Sequence, residues 1–169
     1  MKIVGSASSR ELIELAREHA REEYGKQLVQ IICQHPSITG RSLVALDRIF
    51  PWSLELANAI ATSGKAPISL LRRYAARRDR YLREHAELAL LNRRLKGAGV
   101  REFREVLEQS RGPDPSAMAR RSIVVFHPST PKEILADLLL DPVDSLSKEA
   151  ARRLDALTTR GSRRRAKKT

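Results

Sequence analysis

The chain has 169 residues, of which 32 are basic and 20 acidic, so its formal net charge at pH 7 is +12. Aromatic residues make up only 4% of this chain, which favours helices over strands in a protein long enough to bury a core. The single cysteine, Cys33, excludes an internal disulfide framework and a cysteine-rich metal site. No stretch approaches the ~20 apolar residues of a membrane span, so we expect a cytoplasmic protein that does not bind membranes.

The excess positive charge is confined to two segments. Residues 65–96 contain ten basic and three acidic side chains, and residues 160–169 contain six basic side chains and none that are acidic. The other two segments, residues 1–64 and 97–159, are close to neutral. Charge of one sign that is concentrated in this way indicates an anionic partner, whereas evenly spread charge would indicate only solubility.

Apolar residues at helical spacing predict a first pair of helices at the start of the chain. Ser9 is the expected N-cap of the first helix, which continues to about Ala20. Gly25 interrupts the pattern, and a second helix ends before Pro36. Basic and acidic residues alternate on the outer face of the first helix, as is typical of a solvated surface.

Glycine and proline separate the next helical pairs. Pro51 ends the first helix of the second pair, Ser53 can cap the following helix, and Gly64 ends it. The third pair begins at Pro67, and apolar residues at spacings of three and four predict both of its helices. A Gly-Ala-Gly sequence at 97–99 then introduces a fourth pair, which a Gly-Pro-Asp-Pro sequence divides.

The clearest helical pair lies between His127 and Leu154. Thr130 is the expected N-cap, Pro131 occupies the first helical position, and Glu133 completes a Thr-x-x-Glu capping box. An Asp-Pro step then ends the first helix, and a second apolar stripe follows at spacings of four residues. Such a pair cannot bury both of its faces alone, so it requires neighbours of the same kind.

Five helical pairs at spacings near thirty residues predict an all-α protein, a short α-solenoid of about five stacked helical hairpins. We assign this helical repeat domain to residues 1–159. Residues 160–169 have no apolar face, so we expect them to form a disordered basic C-terminal tail. A compact helical bundle without repeats is the alternative fold.

The sequence His-Pro-Ser-Thr-Pro-x-x-x-Leu-x-x-Leu-x-x-Asp-Pro at 127–142 resembles the leucine-rich variant repeat, which is related in shape to HEAT and armadillo repeats. Residues 127–154 match well, residues 35–60 in part, and residues 65–91 mainly in apolar spacing. The resemblance implies a right-handed superhelix of stacked helices and no enzyme activity, and a generic HEAT-like repeat is the alternative. The iron–sulfur cluster of the best-known members is not carried over, because Cys33 is the only cysteine.

Basic residues of the third helical pair are the strongest functional signal. Arginine predominates among them, and its planar guanidinium can donate two hydrogen bonds to one phosphate. Such contacts hold a protein on nucleic acid without reading its sequence. Ion pairs of Arg80 with Glu84 and of Arg83 with Glu87 are the structural alternative for part of this set. The candidate nucleic-acid-binding residues of this pair, here named the basic cluster, are Arg72, Arg73, Arg77, Arg78, Arg80, Arg83, Arg93, Arg94 and Lys96.

The C-terminal tail is a second basic element. A flexible basic arm can follow a phosphate backbone, and a tail that only confers solubility is the alternative. Tyr74 and Tyr81 are the only aromatic residues placed to stack on bases, so base-specific recognition of single strands is not predicted. The candidate residues of the tail are Arg163, Arg164, Arg165, Lys167 and Lys168.

The histidines do not indicate a catalytic or metal site. His35 and His127 both precede proline at matching positions of the repeat, where an extended backbone predicts a structural role. His19 and His85 have no cysteine, aspartate or second histidine at metal-ligand spacing. No nucleophile elbow or phosphate-binding glycine loop occurs, and Trp52 is expected to pack between hairpins at a helix break. We therefore predict no catalytic residue, no metal and no cofactor.

Together these features predict a non-enzymatic helical-repeat protein that binds nucleic acid, with DNA as the favoured form, through the basic cluster and the tail. An adaptor that binds an acidic protein partner is the first alternative. A HEAT-like DNA-repair glycosylase is the second, and it would require an acidic residue and an aromatic residue to meet in a groove. The sequence does not determine the oligomeric state.

Overall fold

The computed structural model describes residues 7–19, 25–51 and 53–166, without the side chains of residues 25, 26 and 160–166. Within these ranges the regular structure is entirely helical, with ten α-helices, one 3-10 helix and no strand, which confirms the all-α class. No helix of these ranges is long and apolar enough to cross a membrane. The helices are α1 (Ser9–His19), α2 (Gly25–Gln34), α3 (Gly40–Ile49), α4 (Leu54–Thr62), α5 (Ile68–Ala75), α6 (Arg80–Arg94), α7 (Val100–Gln109), α8 (Pro115–Phe126), α9 (Lys132–Asp137), the 3-10 helix Leu138–Leu140 and α10 (Asp144–Ala166).

The ten α-helices occupy the five predicted pairs, with two helices in each. Tertiary contacts divide the chain into two compact units, Met1–Leu90 and Leu91–Thr169, where the sequence predicts one repeat domain over residues 1–159. The boundary falls inside α6, and each unit has an apolar core of its own.

The first unit is held together by contacts between consecutive and between alternate helices. Helix α1 packs on α2 and α3, and α4 packs on α2 and α3. Fully burying a leucine or isoleucine side chain stabilises a fold by about 1.5–3 kcal/mol, so the apolar faces of these helices supply most of the favourable energy. The largest fully buried side chains of this unit are Leu12, Ile32, Leu43, Leu46, Ile60, Leu71, Tyr74 and Leu82.

Two loops of the first unit also pack on each other. The ammonium group of Lys65, in the loop between α4 and α5, donates to the carbonyl oxygens of His35 and Pro36, each at 2.9 Å. Gly40 begins α3 beneath the same loop, and a Cβ atom there would lie 3.1 Å from the carbonyl oxygen of Lys65. A side chain at position 40 would therefore push the two loops apart.

The second unit repeats this pattern of contacts. Helix α7 packs on α8 and α9, and α10 packs on α8, α9 and the 3-10 helix. Its completely buried apolar side chains are Leu95, Phe103, Val124, Val125, Ile134, Leu135 and Ala150. Each unit thus combines contacts between neighbouring helices with contacts between helices two positions apart.

The N-cap of α1 is Ser8 and not the predicted Ser9. The hydroxyl of Ser8 accepts a hydrogen bond from the backbone N–H of Glu11 at 3.4 Å, and the Glu11 carboxylate accepts one from the backbone N–H of Ser8 at 2.7 Å. These bonds to Ser8 lower the pKa of Glu11. The predicted cap of α4 is confirmed, since the Ser53 hydroxyl accepts from the backbone N–H of Leu56 at 3.1 Å.

The predicted capping box at the start of α9 is wrong. Pro131 is the N-cap residue, and no side chain caps this helix. The hydroxyl of Thr130 is buried and instead donates to the carbonyl oxygens of Val124 and His127, at 2.6 and 2.7 Å. The last carbonyls of a helix have no partner within it, so a buried hydroxyl at the end of α8 satisfies them there.

The last helix continues beyond the predicted repeat domain. The backbone of α10 is helical through Ala166, which includes residues 160–166 of the segment that the sequence predicts to be disordered. Alanine and arginine are good helix formers, and Gly161 costs only about 1 kcal/mol relative to alanine, so the helix extends past its last core contact at Leu157. Residues 167–169 and Trp52 lie outside the part of the chain that the structure describes, so the roles predicted for them stay predictions.

Candidate nucleic-acid interface

Two arginines of the basic cluster lie against Tyr74, a buried tyrosine of α5. The hydroxyl of Tyr74 donates a hydrogen bond to Oδ1 of Asp47 on α3, and the guanidinium of Arg73 forms an ion pair with Oδ2 of the same carboxylate. The guanidinium carbons of Arg77 and Arg73 lie 5.7 and 6.0 Å from the centroid of the Tyr74 ring. We name these four residues the Asp47 cluster.

The Asp47 cluster gives two of the predicted phosphate-binding arginines a structural role. The Asp47 side chain is only 8% exposed, and a buried carboxylate without donors would strongly destabilise the fold. Burial raises the pKa of Tyr74, and the hydrogen bond to Asp47 raises it further, so the phenol stays protonated and donates. Arg73 supplies the balancing charge, although its side chain is 53% exposed.

Three candidate arginines of the basic cluster in the first unit remain available for an anion. Arg72 and Arg78 are exposed and Arg83 is partly buried, and none of the three side chains has a hydrogen bond or ion pair with the described residues. The predicted ion pair of Arg80 with Glu84 is present, with 2.8 Å between Nε and Oε1.

The second ion pair predicted for the basic cluster is absent, and Arg77 makes a contact that the sequence did not predict. The predicted ion pair of Arg83 with Glu87 is not formed, since no guanidinium nitrogen of Arg83 lies within 4.0 Å of a carboxylate oxygen of Glu87. Arg77 donates to the carbonyl oxygen of Pro51 at 3.3 Å. Its guanidinium is therefore held near the end of α3 as well as against the Tyr74 ring.

The remaining candidates lie in the second unit. Arg94 lies 3.5 Å from the carboxylate of Glu105, which also pairs with Arg101 at 3.1 Å. Lys96 is exposed and has no partner among the described residues, and Arg93 is partly buried. Nothing is described of the tail side chains Arg163, Arg164 and Arg165, and Lys167 and Lys168 lie outside the described residues.

Two basic residues of α3 were missed by the sequence analysis. Arg41 and Arg48 are exposed, have no partner among the described residues, and lie seven positions apart on one face of the helix. The segment charge hid them, because residues 1–64 contain as many acidic as basic side chains. One of those acids, Asp47, lies between them and is paired with Arg73 in the structure. The spacing of seven residues was the signal that could have identified this face.

His35 and His127 form the same turn, one in each unit. In both turns Nδ1 accepts a hydrogen bond from the backbone N–H two residues later, at Ser37 and at Ser129, each at 3.2 Å. Nε2 of His127 lies 3.1 Å from the carbonyl oxygen of Asn92, so it carries the proton and donates. These bonds support the structural role that the sequence predicts for both histidines.

Replacing His127 with asparagine is expected to remove a pH dependence of stability. Burial is the main cause that lowers the pKa of His127, and Arg153 lowers it further against the opposing effect of the Asn92 carbonyl. The unfolded chain therefore takes up the proton first, and stability falls as the pH decreases below the ordinary value of 6.5.

The Oδ1 atom of asparagine can accept the Ser129 N–H in the same way, so this variant keeps the turn without the titrating ring. Urea unfolding at several pH values between about 7.5 and 5.5 should show a smaller loss of stability on acidification than in the wild type. Parallel pH profiles for the two proteins would contradict this role for His127.

Other polar groups offer little for metal or thiol chemistry. No group of three or more His, Cys, Asp or Glu side chains in the described ranges is arranged to hold a metal ion. Burial raises the pKa of Cys33 to about 12, and a thiol that stays protonated is a poor nucleophile. The exposed cations of α3 and α5 therefore remain the main chemical feature of the first unit.

Comparison with known proteins finds no relative. No protein-family model, no curated protein and no solved structure matches this chain. The resemblance at 127–142 to the leucine-rich variant repeat therefore stays a prediction, and the function is inferred from the side chains described above.

Proposed function

We propose that this protein is a non-enzymatic helical-repeat protein that binds nucleic acid, with DNA as the favoured form. Its fold would be a short α-solenoid of the leucine-rich variant or HEAT-like type. Within each unit, helices two positions apart pack on each other, as successive hairpins of a solenoid do, and this supports the repeat assignment. The observation that carries the binding proposal is the set of arginines without ion-pair partners on and next to α5, two of which, Arg72 and Arg78, are exposed.

The proposed binding surface, named the α5 basic face, consists of Arg72, Arg78 and Arg83. A guanidinium that is not already paired can bind a phosphate without first breaking an internal bond. Each phosphate contact releases condensed counterions, so the affinity should fall steeply with salt concentration. Arg41 and Arg48 on α3 would add to the positive potential, because Arg73 cancels the charge of the intervening Asp47.

The double variant Arg72→Ala/Arg78→Ala is expected to bind nucleic acid more weakly than the wild type at every salt concentration. If each arginine contacts one phosphate, the slope of log affinity against log salt should decrease by about one unit per arginine. Both side chains are exposed and without partners, so the fold should be retained. Fluorescence anisotropy with labelled duplex and single-stranded DNA across a salt series measures both quantities.

The matched control is Arg111→Ala/Lys132→Ala, which removes the same charge from exposed sites outside the candidate set. If this control weakens binding as much as Arg72→Ala/Arg78→Ala does, net charge and not the α5 basic face is responsible. A chain truncated after Thr159 tests the tail separately, since the core residues of α10 end before that position. Absence of binding by the wild type near physiological salt would refute the proposal and favour an acidic protein partner.

A further inference from the structure

One aromatic side chain of the first unit is exposed within the sequence segment that is rich in basic residues. Tyr81, the second residue of α6, is 58% exposed, whereas Tyr74 is fully buried. The imidazole of His85 lies edge-to-face against the Tyr81 ring, with 4.1 Å between the ring centroids. His85 is in turn fixed by a 2.8 Å hydrogen bond from its Nδ1 to the carbonyl oxygen of Tyr81. The Tyr81 ring is therefore supported on one side and accessible to solvent.

The charged residues that flank Tyr81 in the sequence suit a phosphate backbone. Arg78 is exposed and unpaired with the described residues, and Arg83 is likewise without a partner among them. The only acidic residue between these two arginines, Asp79, is occupied as the cap of α6, because its carboxylate accepts the backbone N–H of Leu82 at 2.7 Å. Arg78 and Arg83 lie three and two positions from Tyr81 in the sequence. An exposed aromatic ring together with unpaired guanidinium groups in the same segment is the combination that binds single strands, with phosphates on the cations and a base on the ring.

We infer that Tyr81 is a stacking site for an unpaired base, so that the nucleic acid bound at the α5 basic face is single-stranded at this point. This inference rests on the proposed function. In a duplex both faces of a base are already stacked on neighbouring pairs, so an exposed side chain can stack only on a base that is unpaired. Every base has an aromatic face, so one such contact adds affinity for single strands without any sequence preference.

The test compares a labelled single strand with an otherwise identical strand that carries abasic sites and so keeps its phosphates. The wild type should bind the strand with bases about tenfold more tightly than the abasic strand. Tyr81→Ala should bind both strands with the weaker affinity, and Tyr81→Phe should behave like the wild type. Ile68→Ala, which truncates another exposed apolar residue of the same unit, is the control and should leave the preference unchanged.

The outcomes separate this inference from the proposed function. Equal affinity of the wild type for the two strands, or a preference that survives in Tyr81→Ala, would overturn the stacking site while phosphate binding stands. Absence of binding to either strand would overturn the stacking site, and the nucleic-acid function falls with it only if the duplex is not bound either. A preference that is lost in Tyr81→Ala and kept in Tyr81→Phe would support the inference.

Discussion

Replacing Arg121 with methionine is expected to destabilise the second unit by about 3–5 kcal/mol, the range observed when one partner of a buried ion pair is removed. The side chains of Arg121 and Asp141 are only 7% and 4% exposed, and Nε of Arg121 lies 3.0 Å from Oδ2 of Asp141. Nη1 of Arg121 also donates to the carbonyl oxygens of Ser110 and Gly112, at 2.6 and 2.9 Å. One guanidinium thus connects the end of α7 and the following loop with the loop that precedes α10.

The measurement is urea unfolding followed by helical circular dichroism, with Arg120→Met as the matched control. Arg120 is the neighbouring arginine, is less buried and has no partner among the described residues, so its replacement should change stability by less than about 0.5 kcal/mol. The double variant Arg121→Met/Asp141→Asn should be more stable than Arg121→Met, since it leaves no unpaired buried charge. Equal effects of Arg121→Met and Arg120→Met would disprove the importance of this ion pair.

Replacing Asp47 with alanine is expected to destabilise the first unit by about 2–3 kcal/mol, because a buried hydroxyl loses its acceptor and a guanidinium its counter-charge. The Tyr74 hydroxyl and Arg73 both bind this carboxylate. The effect should be smaller than that of Arg121→Met, because the half-exposed Arg73 can exchange its lost partner for water.

A double-mutant cycle checks this second expectation. Tyr74→Phe alone removes one donor from a buried carboxylate, and in the background of Asp47→Ala the same change should cost much less. The coupling between the two positions should therefore be on the order of 1 kcal/mol. Additive effects would show that Asp47 and Tyr74 do not stabilise each other. Asp155→Ala, at an exposed position of α10, is the control for the removal of a carboxylate.

The helices could be predicted from the sequence because their determinants are local. A proline in a helix interior removes a backbone hydrogen bond wherever it occurs, and apolar spacing defines the buried face without reference to other helices. Helix α5 follows Pro67 and α4 follows Ser53 as predicted. The capping assignment at Thr130 failed because a hydroxyl can bind either of two sets of backbone groups, and burial against the end of α8 decided which.

The chemistry of the basic residues was only partly predictable. Composition determined that the segment 65–96 is strongly positive, and this follows from the sequence alone. Which of its arginines are free was decided by the tertiary structure, since Arg73 is bound to a carboxylate 26 residues earlier in the chain. The exposure of Tyr81 and the burial of Tyr74 were decided in the same way.

The sequence by itself therefore determined the all-α class, the positions of the helical pairs and the sign of the charge, because each depends on residues a few positions apart. Only the tertiary structure decided which polar groups pair inside the protein, as Arg73 does with Asp47 and Arg121 with Asp141. Those pairs depend on which helix faces meet, because a buried charge is stable only when a neighbouring segment supplies an oppositely charged partner. The groups left over, Arg72, Arg78 and Tyr81, are the ones available to a ligand.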